Sequence, residues 1–242
     1  MTKSLFLSLL LIAGASAAWA QTKPTGGYPG AQPVNYKAPT GVHYVYLVRH
    51  GIYDRDTTAT DDRVANGLNA LGHEQAGLVA ARLAALPVKY DHLVSSEYLR
   101  AAQTADDIGR VLKLTPTRDG SLNECFPSTN NAKMTANEKP EDIAACDSAR
   151  AVAWQRYFAP TPDHDTYDLL VCHGNVIRWT MMRAVGADTK NWLNLDGANC
   201  GLTIIAVRPE GTTRLVMYSD VGQIPWAKQT WSGKGGGWVG AK

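Results

Sequence analysis

The chain has 242 residues, of which 45% are hydrophobic and 19% are charged, and these proportions are typical of one globular domain with room for an insertion. Its formal net charge is +2 and it contains no block of basic residues, so the sequence gives no indication of nucleic-acid binding.

The first twenty residues have the composition of a targeting segment. Lys3 precedes the apolar run 5–13, and small residues then end in Ala18-Trp19-Ala20. This order predicts a secretory signal peptide that is cut after Ala20, and the run is too short for a stable membrane anchor. We therefore expect an exported protein, periplasmic or secreted. Residues 21–41 contain Pro, Gly, Gln and Thr without apolar periodicity and predict an extended N-terminal arm.

Two short apolar runs are each followed by a histidine and a glycine. Residues 43–48 predict a strand buried on both faces, and Arg49, His50 and Gly51 come directly after it. Residues 168–172 predict a second such strand, which ends in His173-Gly174-Asn175. Because ligands of open α/β sheets bind outside the carboxyl ends of strands, both histidines are candidates for one pocket.

The rest of the chain alternates between strand and helix patterns. Helices are predicted over 70–86, from about 99 to 112, over 140–158 and over 175–185, and further strands over 92–94, 115–119, 202–207 and 213–218. This alternation predicts an α/β fold, a three-layer sandwich whose mostly parallel central sheet is flanked by helices. One domain is expected over 42–230, with a small insertion at about 125–160 and a Gly/Trp-rich tail over 231–242.

The four cysteines suggest one structural disulfide. Cys125 and Cys146 flank a polar segment that has little core of its own, and a disulfide between them would stabilise it in an exported protein. Cys172 lies inside a predicted strand and reads as a small core residue. Cys200 is either free or paired with Cys172. A zinc site is disfavoured, because the sequence has no Cys-x-x-Cys pair.

The motifs around these residues resemble those of the histidine phosphatase superfamily, also called the phosphoglycerate-mutase-like family. The matching stretches are Arg49-His50-Gly51, the segment 95–105 that contains Arg100, and the segment 171–179 that contains His173. Within this superfamily, the stretches 36–50, 71–76 and 207–211 are most similar to the mitochondrial serine/threonine phosphatases. The similarity extends over about residues 36–230.

The resemblance implies a role for each candidate residue. His50 would be the nucleophile that carries a phosphohistidine intermediate, and Arg49 and Arg100 would clamp the phosphate. His173 would stabilise the transferring group, and Glu124, on a loop after the second motif, would be the proton donor. Gly51, Gly174 and Asn175 are further expected at the phosphate. Arg55 would reach the phosphate or the rest of the substrate, although a solvated loop arginine reads equally well.

The leading interpretation is an exported, metal-independent phosphatase without a cofactor, acting on small phosphate esters or on phosphoserine and phosphothreonine in proteins. Export favours the small esters. The alternatives are a phosphoglycerate mutase, which is an isomerase, and a non-catalytic phosphate-binding module. The expected partners are the phosphorylated substrate and possible further copies of the chain, with neither nucleic acid nor a stable membrane anchor.

Overall fold

The computed structural model describes residues 41–161 and 163–231, and a six-stranded sheet forms the centre of this part of the chain. The strands are His43–Arg49 (β1), His92–Ser95 (β2), Thr117–Arg118 (β3), Thr166–Cys172 (β4), Leu202–Val207 (β5) and Thr213–Asp220 (β6). Their order in the sheet is β3-β2-β4-β1-β5-β6. Neighbours from β3 to β1 pair in parallel, whereas β5 pairs antiparallel with β1 and with β6. The mostly parallel sheet predicted from the sequence is confirmed.

Helices cover both faces of this sheet. They are Ala70–Ala85 (α1), Leu99–Leu112 (α2), Pro140–Tyr157 (α3) and Gly174–Ala184 (α4), with short 3-10 helices at Gly120–Leu122, Ala132–Met134, Thr189–Asn194 and Trp226–Lys228. One apolar core lies between the sheet and helices α1 and α2, and a second lies between the sheet and helices α3 and α4. The predicted three-layer α/β architecture is therefore confirmed. Helix α3 falls within the expected insertion, yet its Ala153 and Tyr157 pack in the second core.

Strand β1 contributes to both cores, which explains the uninterrupted apolar run 44–48 within it. Tyr46 and Val48 pack in the core beside α1 and α2, whereas Val45 and Leu47 pack in the core beside α3 and α4. Side chains alternate between the two faces of a strand, so a strand that is covered on both faces needs an apolar residue at every position. The run 44–48 is thus the sequence signature of the central position of β1.

The register of three adjacent strands brings their carboxyl ends to one level. Arg49 lies opposite Cys172 in the β1–β4 pair, and the His50 amide donates to the Cys172 carbonyl at 2.9 Å. On the other side of β4, the Ser96 amide donates to the Val171 carbonyl at 3.0 Å. The residues that come directly after β1, β4 and β2 are therefore neighbours at the same edge of the sheet.

The cysteines take two different states. Cys125 and Cys146 form a disulfide with an S–S distance of 2.03 Å, and this bond joins the polar segment to helix α3. Cys172 and Cys200 are both free and buried. They belong to different cores, Cys172 beside α3 and α4 and Cys200 beside α1 and α2. The sheet therefore separates these two thiols, and they remain unpaired.

Several expectations fall outside the described residues. These are the signal peptide over 1–20, the arm up to residue 40 and the tail from residue 232 onward. Trp231, the last described residue, forms an antiparallel bridge with Ala198. Among residues 41–161 and 163–231, no helix has both the length and the apolar character needed to cross a bilayer.

His43, at the start of β1, is buried with an acceptor at each ring nitrogen. Its Nδ1 lies 2.9 Å from the Ala159 carbonyl oxygen, and its Nε2 lies 3.0 Å from Asp168 Oδ2. A carbonyl and a carboxylate only accept hydrogen bonds, so the ring donates to both only when it is protonated. Burial alone would lower the pKa of His43, but the hydrogen bonds to Asp168 and Ala159 raise it above 6.5.

A His43→Gln substitution is expected to lower the free energy of unfolding by about 1–3 kcal/mol at about pH 6. The stabilisation from protonated His43 is fully present below its unfolded pKa of 6.5 and is lost as the pH rises through the higher folded value. The difference from wild type, measured by urea unfolding, should therefore shrink towards about pH 9. The exposed His164, which is paired with Asp163, provides the matched control His164→Gln. A difference that is independent of pH would contradict this assignment.

Candidate active site

A cleft of about 830 Å³ opens at the sheet edge where β1, β2 and β4 end. It is lined by residues from several separate segments of the chain. Those predicted from the sequence are Arg49, His50, Arg55, Arg100, Glu124, Gly174 and Asn175. His173 lies beside them, with its ring centroid 5.1 Å from that of His50. The fold therefore gathers the cations, both imidazoles and the carboxyl group around one space.

His50 is buried, and a backbone hydrogen bond fixes its tautomer. Its Nδ1 lies 2.8 Å from the Gly51 carbonyl oxygen. Because a carbonyl only accepts, the hydrogen lies on Nδ1, and Nε2 carries the lone pair in the neutral ring. Burial and the guanidinium groups of Arg49 and Arg100 hold the pKa of His50 well below 6.5. The ring is therefore neutral at physiological pH, which is the form that a nucleophile needs.

Gly51 lies behind His50 rather than among the residues that line the cleft. Its carbonyl accepts from His50, and its amide donates to Thr104 Oγ1 at 3.1 Å. A Cβ atom at this position would lie 2.5 Å from the Gly72 carbonyl oxygen, at the first turn of α1. The glycine is required because β1 and α1 approach each other this closely. Its place differs from the substrate contact expected from the sequence, because both of its backbone groups are used within the protein.

Arg100 is buried in the first turn of α2, and its guanidinium group is held from three sides. Its NH1 donates to Asp62 Oδ2 at 2.8 Å. The guanidinium carbon lies 4.8 Å from the centre of the Tyr53 ring and 5.2 Å from that of Tyr98. Its Nε has no hydrogen-bond partner among the described residues. The group is thus oriented before any substrate arrives and still has donor capacity for an anion.

Arg49 is the second cation beside His50. Its NH1 donates to the Gly197 carbonyl at 2.6 Å, which links the end of β1 to the segment that precedes β5. Arg49 and Arg100 both lower the pKa of His50 through their charge. Two fixed positive charges on either side of a neutral imidazole favour a bound dianion at this place.

A chain of hydrogen bonds fixes the tautomer of His173, which is fully buried. The Ser96 hydroxyl lies 2.8 Å from Asn123 Oδ1 and 2.8 Å from His173 Nε2. Asn123 Oδ1 also accepts the Glu97 amide at 2.9 Å, so it is an oxygen, and the Ser96 proton must point to it. His173 Nε2 therefore carries the hydrogen and donates to Ser96.

The other nitrogen of His173 is left for a ligand. Its Nδ1 is buried and has no hydrogen-bond partner among the described residues. Burial, His50, Arg100 and Arg49 hold the pKa of His173 well below 6.5, so the ring is neutral. A buried polar atom without a partner is costly, and a bound phosphate beside the two imidazoles would give it one.

Glu124 lines the same cleft as Arg49, Arg100 and Arg178. Its Oε2 accepts the Asn175 amide at 3.4 Å, and its Oε1 is buried without a hydrogen-bond partner among the described residues. Burial raises the pKa of Glu124 above 4.5, although the charges of Arg49, Arg178 and Arg100 and the Asn175 amide act in the other direction. A carboxyl group with a raised pKa in a cleft is suited to donate a proton.

Asn175, in the first turn of α4, uses its polar groups within the protein. The Asn175 amide donates to Glu124, and its Nδ2 donates to the Cys125 carbonyl at 2.9 Å. Its Oδ1 accepts from Arg178 NH2 at 2.5 Å. Gly174 and Asn175 line the cleft as expected, but the polar groups of Asn175 are already paired.

Sequence reasoning missed several residues of the site. Arg178 lines the cleft with its guanidinium carbon 4.8 Å from the Trp192 ring centre, and its Nε donates to the Gly174 carbonyl at 3.2 Å. The spacing could have revealed it, because residues 174 and 178 are four apart and lie on one helix face. Asp62, Tyr53, Tyr98 and Asn123 had no comparable signal. Arg55 lines the cleft, exposed at its rim.

Among the described residues, no three histidine, cysteine, aspartate or glutamate side chains are grouped so that they could hold a metal ion. The charges around His50 are instead those of arginines, which suit a phosphate group.

Comparison with known proteins gives one consistent family. The profile of the Histidine phosphatase superfamily (branch 1) matches residues 45–148 and 128–220. "Serine/threonine-protein phosphatase PGAM5, mitochondrial" of Xenopus laevis is 32% identical over 200 residues, which are 81% of this chain and 71% of that protein. The human protein of the same name is 34% identical over 202 residues, 81% of this chain and 68% of that protein.

Solved structures share the architecture. Phosphoglycerate mutase from Plasmodium falciparum superimposes with a TM-score of 0.52 at 25% identity, covering 76% of this chain and 95% of that chain. Alpha-ribazole phosphatase from Shigella flexneri gives a TM-score of 0.58 at 18% identity, covering 73% of this chain and 96% of its own. The second similarity concerns the fold alone.

These comparisons correct one expectation. The first twenty residues predicted export to the periplasm or the medium, whereas the curated relatives are mitochondrial proteins. The residues that carried that prediction lie outside the described part of the chain. The preference for small esters depended on export and loses its basis with it.

Proposed function

Because the chain belongs to the histidine phosphatase superfamily, we propose that it is a phosphatase that hydrolyses phosphomonoesters through a phosphohistidine on His50. The observation that supports this most strongly is the pair of buried neutral imidazoles, with ring centroids 5.1 Å apart, beside Arg49 and Arg100. Phosphoryl transfer needs an in-line nucleophile and positive charge around the phosphate oxygens, and this arrangement supplies both.

In the first step, the lone pair of His50 Nε2 attacks phosphorus, and the bond from phosphorus to the ester oxygen breaks. The hydrogen bond from His50 Nδ1 to the Gly51 carbonyl stabilises the positive charge that develops on the ring. Glu124 gives its proton to the departing oxygen, so the alcohol leaves neutral. The products of this step are the alcohol, a Glu124 carboxylate and a phosphorylated His50.

In the second step, water attacks phosphorus and the bond to His50 Nε2 breaks. The Glu124 carboxylate takes a proton from the attacking water, which restores the acid for the next cycle. Inorganic phosphate then leaves, and His50 is again neutral. The same carboxyl group therefore acts first as an acid and then as a base.

Three groups hold the phosphate during both steps. Arg49 and Arg100 donate to its oxygens, and the fixed guanidinium planes need little reorganisation as charge develops. His173 Nδ1 takes up a proton that arrives with a phosphate monoanion and shares it with one oxygen. Arg55 contacts the rest of the substrate at the rim of the cleft.

The substrates that we propose are phosphoserine and phosphothreonine side chains, with small phosphate esters as the second class. The curated relatives are named serine/threonine-protein phosphatases, which favours the first class. A cleft of about 830 Å³ has room for much more than a phosphate group. A mutase would return the phosphate to a second substrate, and a binding module would release none, so release of inorganic phosphate distinguishes a phosphatase from both alternatives.

We expect hydrolysis of p-nitrophenyl phosphate to be unchanged, within about 2-fold, after dialysis against EDTA and in its presence. The reason is that two arginines and a histidine nucleophile supply the charge and the attacking group that a metal site would otherwise provide. The measurement is release of inorganic phosphate, with a zinc-dependent phosphatase as a parallel control that must lose activity. Loss of turnover that divalent ions restore would contradict the metal-independent mechanism.

A further inference from the structure

Arg150 is a buried arginine that has no role in the proposed mechanism, and it contacts the backbone next to the proposed acid, Glu124. Arg150, in helix α3, is 1% exposed. Its NH2 donates to the Ser121 and Asn123 carbonyls, and its Nε and NH1 have no hydrogen-bond partner among the described residues. Burying a guanidinium group is costly, and a hydrophobic residue of similar size usually fills such a place more cheaply. The hydrogen bonds that Arg150 does make lead to the backbone just before Glu124.

The same helix holds the backbone just after Glu124. Cys146 lies four residues before Arg150, one turn away on the same face of α3, and forms the disulfide with Cys125. The Cα atoms of the two cysteines are 5.7 Å apart. Residues 123–125, the acid loop, are thus fixed to α3 on both sides of the carboxyl-bearing residue.

Glu124 needs such support, because its own side chain is weakly held. Its one hydrogen bond to the described residues is 3.4 Å long, and its Oε1 has none. A proton donor must lie within about 3.2 Å of the oxygen that it protonates. A displacement of about 1 Å by a distant change can cost about 10²-fold in rate. The position of the carboxyl group must therefore come from the backbone that carries it.

We propose that Arg150 and the Cys125–Cys146 disulfide are positioning elements for the acid, which together clamp the acid loop to helix α3. This inference rests on the proposed role of Glu124. Neither element touches the substrate. The clamp acts on proton donation to the leaving group. The side chain of Asn123, which fixes the His173 tautomer through Ser96, keeps its own hydrogen bonds to Ser96 and Glu97 without Arg150, so phosphate binding by Arg49, Arg100 and His173 is expected to change little.

Dependence on the leaving group tests the clamp. The measured quantity is kcat/KM for 2,4-dinitrophenyl phosphate, whose leaving group needs no proton, and for an alkyl phosphate, whose leaving group does. The value of kcat/KM reports only the steps up to the phosphorylation of His50. It is therefore not affected by the later role of Glu124 as a base. Arg150→Met and the double variant Cys125→Ser/Cys146→Ser are expected to lower it at least about 30-fold for the alkyl ester and less than about 3-fold for the dinitrophenyl ester.

Two controls separate this inference from the proposed function. Glu124→Gln must give the same pattern with a larger loss; equal losses on both esters would remove Glu124 as the acid, and the clamp with it. Arg82→Met removes the hydrogen bonds of a half-buried arginine to Asp220 and Gln223, none of which lines the cleft. This variant should leave the ratio of kcat/KM for the two esters at the wild-type value.

If Glu124→Gln behaves as expected, equal losses on both esters in the Arg150 and cysteine variants would overturn the clamp, because a general structural role affects both substrates alike. Wild-type values on both esters would overturn it as well. Arg150→Lys keeps the charge but lacks the NH2 group that donates to both carbonyls. It replaces Arg150→Met, with the same expected pattern on the two esters, if that variant fails to fold. The cysteine variant tests the second attachment independently.

Discussion

Replacing His50 with alanine is expected to lower kcat/KM for phosphomonoesters by at least about 10⁴-fold. The substitution removes the group that forms the phospho-intermediate, and the remaining arginines and His173 cannot replace a nucleophile. The expected loss is the same for esters with good and poor leaving groups, because attack on phosphorus is needed in either case. Hydrolysis of p-nitrophenyl phosphate and of a phosphothreonine peptide provides the measurement.

The matched control is His73→Ala. His73 is an exposed histidine of α1 that pairs with Asp107 of α2 and does not line the cleft. This variant should hydrolyse both substrates at the wild-type rate. Circular dichroism and thermal unfolding must establish that the His50 variant is folded. Equal rates for wild type and His50→Ala would remove His50 from the mechanism.

Replacing Arg100 with lysine should lower kcat/KM by about 10²-fold and weaken inhibition by inorganic phosphate. Lysine retains the charge but loses the planar fork that binds two phosphate oxygens. It also fits less well between Tyr53 and Tyr98, whose rings lie 4.8 Å and 5.2 Å from the guanidinium carbon. The measurements are kcat/KM and the inhibition constant for phosphate.

Arg110→Lys serves as the control for Arg100→Lys. Arg110 belongs to the same helix, α2, but is exposed and pairs with Asp107. It should retain wild-type kinetics. If Arg100→Lys does so too, a simple positive charge would suffice at that position and the bidentate role would be wrong.

The sequence was sufficient to predict the central strands and the functional groups at their carboxyl ends. A strand with both faces covered is apolar throughout, so β1 and β4 stand out as continuous runs, and the groups at their ends had to share a sheet edge. This reasoning located Arg49, His50 and His173 in one place. The resemblance to a known family added Arg100 and Glu124, whose local sequences are ordinary for a helix start and a loop.

The partners of these residues could not be read from the chain. The Asp62–Arg100 ion pair and the Ser96–His173 hydrogen bond join residues 38 and 77 positions apart. Arg150 has an ordinary helical context, and only the tertiary structure reveals that it is buried beneath the acid loop. Such contacts depend on how separate elements pack, and no local periodicity encodes them.

The expected location was wrong for a related reason. A basic residue, an apolar run and small residues at an N-terminus describe a composition, and composition alone does not identify the compartment. The relatives, which are mitochondrial proteins, overturned it. The substrate and the compartment depend on the whole protein in its cell. The residues of the cleft determine only which chemistry can occur there.

The central claim is that phosphate passes through His50, and trapping the intermediate tests it most directly. Enzyme mixed with a ³²P-labelled ester is quenched in alkali within one turnover, digested and mapped by mass spectrometry. With a dinitrophenyl ester, whose leaving group needs no proton, Glu124→Gln should accumulate more label, since it lacks the base that activates water. We predict a phosphoryl group that is stable in alkali, labile in acid and located on His50. Label on another residue, or equal labelling of His50→Ala, would contradict the mechanism.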